Sequence, residues 1–460
     1  MGVAGPQVLM TERNRTQGAD CDVVVVGGGP AGLIAARELA TAGFGVVVLE
    51  EHEVIGAPVH CTGVLGLDAF DELGLSRRAI VGAADAARFV SPNGATVVID
   101  AERVRAAVVD RAIFDRDLAA SAIDAGATIQ TGVRVVGVTR GPQSVTISTA
   151  DRAGVEPAGV EPGVEPAGVE PGVERAGVEP GVERAGVEPG VERAGVEPGV
   201  ERAGVEPGVE IVARAAVLAC GASYRFNRAL GLGVPSVIVH SAQLEVPFPP
   251  LDQVQVHFGR TIAPGGFAWV VPFEREGTTF ARVGLLCERD AGARFRTFAT
   301  SIRAAHSLSD VWPTPRLRVL PLGPVARTWT DRILAVGDAA GLVKPTTGGG
   351  IYYGLLTGHL AAGVLAEALG EDRLGARRLK EYERRWRARL GPEIRAGLAF
   401  RAVAARLNDV AVDRLIELAR VDGIVPLLKQ TADFNWHHSA ARALLRHAEF
   451  RRIVLKSMWT

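Results

Sequence analysis

Six consecutive residues, Gly27-Gly28-Gly29-Pro30-Ala31-Gly32, constrain this chain more than any others. They follow a β-branched run, CDVVVVG at 21–27, that reads as a buried parallel strand. They open a stretch over 29–43 with helical spacing, and GVVVLE at 45–50 reads as a second buried strand. Strand, turn, helix and strand in succession make a βαβ unit and predict an α/β fold. Gly27 permits the tight turn, Gly29 lets a pyrophosphate approach the backbone, and Gly32 lets helix and strand pack closely. The helix N-terminus, entered through Pro30 and Ala31, offers free N–H donors to the anion. Glu50 ends the second strand 18 residues after Gly32, with Glu51 next to it. A carboxylate there can accept from ribose hydroxyls. The unit predicts a dinucleotide site.

A second glycine motif narrows the choice of dinucleotide. In ILAVGDAAGLVKPTTGGGIYYGLLTGHLAA a strand ends in Gly337-Asp338, where the carboxylate can bond a ribityl hydroxyl. Thr346-Thr347-Gly348-Gly349-Gly350 then opens a long helix from Ile351. The N–H groups and dipole of that helix face an anion. A reduced flavin carries negative charge near N1 and O2 of its ring, whereas a nicotinamide needs no such feature. The paired motifs therefore predict a flavin site.

The stretches DVVVVGGGPAGLIAARELATAGFGVVVLEE, PVHCTG, DRAIFD and VGDAAGLVKPTTGGGIYYGLLTG resemble the geranylgeranyl reductase family. That family belongs to the para-hydroxybenzoate hydroxylase superfamily of FAD enzymes. The resemblance covers roughly residues 21–150 and 211–400. It implies bound FAD and reduction of C=C bonds in a prenyl or polyprenyl, geranylgeranyl-type lipid. Through the family pattern [YF]-x-W-x-x-P it implies that Phe267, Trp269 and Pro272 line a substrate tunnel, and through HCTG that Cys61 lies near the flavin. It also implies a flavin contact for Arg111; spacing alone allows an i,i+4 ion pair with Asp115 instead. In LACGAS, Cys220 stands where the superfamily usually has Asp before Gly221, and no second GxGxxG is present. The electron donor therefore stays open between NAD(P)H and a ferredoxin-type carrier protein. A flavin-dependent monooxygenase of an aromatic or polyketide substrate is the alternative on the same fold, and a prenyl-binding carrier without flavin is the third reading.

Composition bears on the rest of the chain. The formal net charge of −1 is the sum of unlike parts. Residues 153–210, a low-complexity RAGVEPGVE repeat, hold 13 Glu and 4 Arg, while residues 371–460 hold 19 Lys+Arg and 11 Asp+Glu. The remainder is neutral, which excludes a basic nucleic-acid binder. Flanking strands place the repeat at a hairpin tip as a solvated loop. Residues 1–20 read as a flexible tail in which Met10 is an alternative start. An FAD-binding domain is expected over 21–150, 211–234 and 325–373, with an antiparallel-sheet substrate domain over 235–324 and a helical region over 374–460. The fold class is thus a Rossmann-like α/β domain joined to an antiparallel sheet and a C-terminal helical region. Four cysteines without CxxC spacing and no ~18-residue apolar run predict a cytoplasmic protein. The basic C-terminal helices suggest peripheral contact with the inner face of the membrane. No metal site is expected: His240, His257, His359, His437 and His438 have no partners at metal-ligand spacing.

Overall fold

A computed structural model describes residues 19–59, 61–100, 106–150, 208–308, 311–421, 425–426 and 434–458. The expected tail and repeat fall almost wholly outside these residues. The βαβ unit forms with a strand at Cys21–Val26, a helix at Pro30–Thr41 and a strand at Val46–Glu50. The first strand pairs in parallel with Val46–Glu50 on one side and Glu210–Leu218 on the other. Ile333–Ala335 and Thr128–Thr131 extend this sheet at the two sides. The central strands are nearly all Val, Ala and Leu because both faces of the sheet are buried. Val23, Val24 and Val25 are fully buried.

A second sheet of seven strands stands beside the first. Its long antiparallel ribbons are Ile238–Pro247, Phe267–Arg275 and Thr278–Cys287, with Arg316–Pro321 at one edge. Val254–His257 pairs in parallel with Ala86–Val90, and Thr96–Asp100 closes the other edge. Two of its strands therefore come from residues 86–100, inside the stretch that also builds the parallel sheet. One face of this sheet packs on the helix Ala291–Ala305 through Phe295 and Phe298. The other face lines a cavity. A three-stranded sheet of Val64–Gly66, Ile80–Ala83 and Ala106–Val109 joins the two larger ones.

Three helical segments follow the TTGGG motif and complete the α/β architecture: Ile351–Gly370, Ala376–Ala404, and the group Asp409–Val421, His438–Arg446 and Ala448–Met458. Among the described residues no helix is long and apolar enough to cross a membrane.

The strands on either side of the repeat pair with each other. Val145–Thr149 pairs antiparallel with Glu210–Leu218, with Ser148 opposite Glu210. The second of these strands is also the parallel partner of the first strand in the chain, so its register is held from the core side, independently of the tip. Replacing residues 151–207 with a short turn should leave FAD content unchanged. It should also raise unfolding stability by about 2 kcal/mol through reduced loop-closure entropy. Urea unfolding monitored by flavin release and circular dichroism reads both.

Candidate functional site

Two helix N-termini converge on one cavity of about 1770 Å³. The first belongs to Pro30–Thr41. Its N-cap is Gly29 with no side chain capping it, which leaves the first-turn N–H groups aimed outward. Gly27 has φ +109, and a Cβ on it would lie 2.4 Å from Ala219 O. A Cβ on Gly32 would lie 2.2 Å from Gly27 O. Gly29 has nothing within 4 Å of its Cβ position, so open space lies where a phosphate needs to approach. Glu50 Oε2 accepts from Gly28 N–H at 2.7 Å, and Oε1 accepts from His52 N–H at 3.0 Å. These bonds fix the carboxylate while leaving lone pairs for a hydroxyl. Glu51 lines the cavity beside Glu50 and stands 3.8 Å from Arg134.

The second N-terminus belongs to Ile351–Gly370, again with a glycine N-cap, Gly350, and no side-chain cap. Gly348 takes φ +73 in the preceding turn, and Gly348, Gly349, Gly350 and Ile351 line the cavity. Gly337 turns at φ +55, and its N–H donates to Thr357 Oγ1 of the long helix at 3.1 Å. Asp338 follows, with Oδ1 2.9 Å from the Cβ position of Gly350. Burial pushes the Asp338 carboxyl up to about 6, against the opposing pull of Arg111.

Arg111 lines the cavity and makes the i,i+4 pair with Asp115, bidentate at 3.0 and 2.7 Å. The pair is buried rather than on the surface, with side-chain exposures of 15% and 6%. Burial works against the Arg111 charge, but the Asp115 carboxylate beside it outweighs that and holds it protonated. Cys61 is half-buried in the cavity wall, and its Sγ accepts from Gly63 N–H at 3.4 Å. Burial pushes the Cys220 thiol up to about 11, which keeps that group neutral at the position of the usual acidic residue.

Phe267 and Trp269 line the cavity with ring centroids 5.8 Å apart, and Phe258 and Phe89 continue the aromatic lane. Pro272 is not among the lining residues, because strand alternation sets it on the face opposite Trp269.

Several residues at the site were given no role by the sequence, Lys344 inside the KPTTGGG stretch among them. Lys344 Nζ donates to Phe434 O at 2.8 Å and to Asn435 Oδ1 at 3.2 Å, while Asn435 Nδ2 donates to Asp68. Burial, with Lys344 nearby, pushes His437 down to about 3, so its ring is neutral. Its Nε2 lies 3.0 Å from the Phe434 carbonyl, which can only accept, so Nε2 carries the proton. Nδ1 therefore accepts from Thr346 O–H at 2.6 Å. Glu393 Oε2 accepts the N–H groups of His437 and His438, and Trp436 packs edge-on against Tyr352. The segment 434–438 thus straps the KPTTGGG loop from outside. The clustered aromatic and histidine residues of FNWHH were its only sequence signal. On the opposite wall Arg282, 1% exposed, donates to Thr62 O at 2.7 Å and Val109 O at 2.9 Å and pairs with Glu245. It holds the backbone next to Cys61. Among the described residues no cluster of three His, Cys, Asp or Glu side chains is placed to hold a metal ion.

The arrangement fits FAD on its own geometry. Glycine cradles that a Cβ would fill stand at two uncapped helix N-termini, with a carboxylate at the end of the second strand. The cavity exceeds the roughly 300–1,000 Å³ of a single small-molecule site, which leaves room for a second molecule along the aromatic lane.

Comparison with known proteins agrees. Residues 20–159 match the FAD binding domain family. A digeranylgeranylglycerophospholipid reductase of Methanopyrus kandleri is 30% identical over 427 residues, covering 88% of this chain and 98% of that protein. Another, from Methanothermobacter thermautotrophicus, is 30% identical over 403 residues, covering 86% of this chain and 90% of its own. The crystal structure of a geranylgeranyl bacteriochlorophyll reductase-like protein from Thermoplasma acidophilum superposes with a TM-score of 0.73 at 21% identity, covering 95% of this chain and 99% of that one.

The raised Asp338 carboxyl has a measurable consequence. Its folded value of about 6 exceeds the ordinary 3.8, so folding binds this proton more tightly. The stabilisation is full below about pH 4 and is lost as pH rises through about 6. Urea midpoints of the apoprotein should therefore fall across that window, and Asp338→Asn should flatten the fall.

Proposed function

The chain belongs to the geranylgeranyl reductase family of FAD-dependent oxidoreductases, and from that premise we propose that it reduces C=C bonds of a prenyl or polyprenyl lipid. The observation that supports this reading is the continuity of the cavity: glycine cradles and Glu50 at one end, Phe267, Trp269, Phe258 and Phe89 at the other, and Cys61 in the wall.

In this reading Gly27, Gly29, Pro30, Ala31 and Gly32 hold the pyrophosphate, with Glu50 and Glu51 on the adenosine side. Arg111, Gly337 and Asp338 hold the ribityl chain, and Gly348, Gly349, Gly350 and Ile351 hold the ring. Bound FAD, once reduced, supplies a hydride to one carbon of the double bond. The aromatic lane aligns the hydrocarbon and keeps water out, so orientation carries much of the rate. Cys61, or a water that it positions, stands at the other carbon as proton donor, with Arg111 and the backbone held by Arg282 fixing its place. The donor that reduces the flavin is either NAD(P)H or a ferredoxin-type carrier, and offering each anaerobically separates them.

Anaerobic turnover with a geranylgeranyl lipid should add two hydrogens to the product mass. A product heavier by one oxygen, formed in air, would assign the monooxygenase reaction instead. Cys61→Ala should lower the rate of flavin reoxidation by the lipid by about 10²-fold or more, as loss of a positioned proton donor does. An unchanged rate would remove Cys61 from the reaction.

Peripheral membrane contact belongs to the same proposal. Arg442, Arg446, Arg451, Arg452 and Lys456 are exposed near Leu445 and Leu455, which are 40% and 57% exposed. Basic and apolar side chains together suit an anionic lipid surface. Flotation with anionic vesicles should carry the protein upward at low salt and lose it at high salt.

A further inference from the structure

The cavity-facing side of the antiparallel sheet can be followed row by row. Gln243, Gly284 and Trp269 stand directly opposite one another on three adjacent strands. Ser241, Leu286 and Phe267 form the row on one side, and Glu245, Arg282 and Val271 the row on the other. Residues directly opposite share a face, so the three rows lie on one wall. A Cβ on Gly348 would lie 3.4 Å from Leu286 Cδ2, which places the TTGGG loop over the first row. Arg282 donates to Thr62 O, which places the Cys61 loop over the third. The middle row therefore lies between the two loops that frame the reaction.

That row sets an indole N–H and an amide on one wall, between a row carrying Leu286 and Phe267 and a row whose polar groups, Glu245 and Arg282, pair with each other. The Trp269 indole lies across Gly284, where a Cβ would fall 2.5 Å from Cζ2 and 2.8 Å from Nε1. Only glycine admits the ring in this position, and the position carries Nε1 over Gly284, toward the strand of Gln243. Trp269 is 8% exposed, yet its indole N–H has no acceptor. Gln243 is 7% exposed and lines the same cavity. A buried donor left unsatisfied costs about 1–3 kcal/mol, and a hydrocarbon chain cannot relieve it. Phenylalanine would line a tunnel without that cost.

We propose that Trp269 Nε1–H and the Gln243 side-chain amide form a two-donor subsite for a neutral oxygen, and that this oxygen is the alcohol or ether oxygen at the head of the prenyl chain. The proposal rests on the prenyl-lipid reading above and deepens it. The head oxygen is allylic, so its nearest double bond begins one carbon away. Docking it in the middle row sets that bond between the TTGGG loop and Cys61. Trp269 and Gln243 thereby select which double bond is presented, and Gly284 is the positioning residue that lets the indole lie flat.

The test uses the FAD-loaded protein and three probes: geranylgeraniol, its methyl ether, and the hydrocarbon lacking the oxygen. Binding is read from perturbation of the flavin absorbance. Wild type should bind the two oxygenated probes about tenfold more tightly than the hydrocarbon, as two hydrogen bonds of about 0.7 kcal/mol each supply. Trp269→Phe and Gln243→Leu should each lower that ratio, taken within the variant, to about threefold, and the double variant should bring it close to one, with flavin content confirming the fold. A ratio unchanged in both variants would overturn the subsite. So would an equal loss for all three probes, which is the result if the oxygen belongs to a bound water. A wild-type protein that binds none of the probes would overturn the prenyl-lipid reading itself.

Discussion

The close crossing of two helices sets the position of everything else at the site. A Cβ on Gly358 would lie 2.3 Å from Ala31 O, and those on Gly354 and Gly337 would lie 3.4 and 3.1 Å from Ala31 Cβ. Only backbone separates the helix that begins at Pro30 from the one that begins at Ile351. Their N-termini, more than 300 residues apart in sequence, open into the same cavity as a result. Thr357 extends the contact by accepting from Gly337 N–H, so the turn carrying Asp338 is fixed by the helix that also carries the TTGGG loop.

The opposite wall depends on paired charges, Arg282 buried among them, rather than on glycine. Arg275 and Arg282 share Glu245, and Arg275 also reaches Asp110, the N-cap of the helix that begins at Arg111. Removing Glu245 would leave the Arg282 guanidinium buried without its carboxylate, which costs more than the pair contributes. The network ties the antiparallel sheet to the Arg111 helix and to the Cys61 loop. The aromatic lane and the thiol therefore keep a fixed relation to the glycine cradles.

Legibility in the sequence followed locality. Gly27, Gly32, Glu50 and Gly348–Gly350 were readable because each serves a turn or helix start made by its immediate neighbours. The βαβ unit and the hairpin flanks were readable for the same reason. Residues 86–100 were not assigned to the second sheet, since their pairing with Val254–His257 spans more than 150 residues and leaves no local period. Lys344, Asn435 and His437 meet across some 90 residues, so although Lys344 lies within a quoted motif its partners could not be read from it. Pro272 belonged to a short aromatic pattern, but strand alternation separates it from Phe267 and Trp269. Arg282 and Gln243 read as ordinary strand residues, and only the register shows which face each takes.

The hairpin around residues 149–210 has a consequence for how this chain can vary over time. Its second strand is aligned by the first strand of the protein, so the pairing of Ser148 with Glu210 does not depend on how many units lie between them. A nine-residue repeat gains or loses copies in whole units, and each copy changes only the contour between two fixed points. Copy number at this site can therefore change without shifting the pairing of Ser148 with Glu210. The number of residues between the two strands and the register of the sheet are in that sense separate variables.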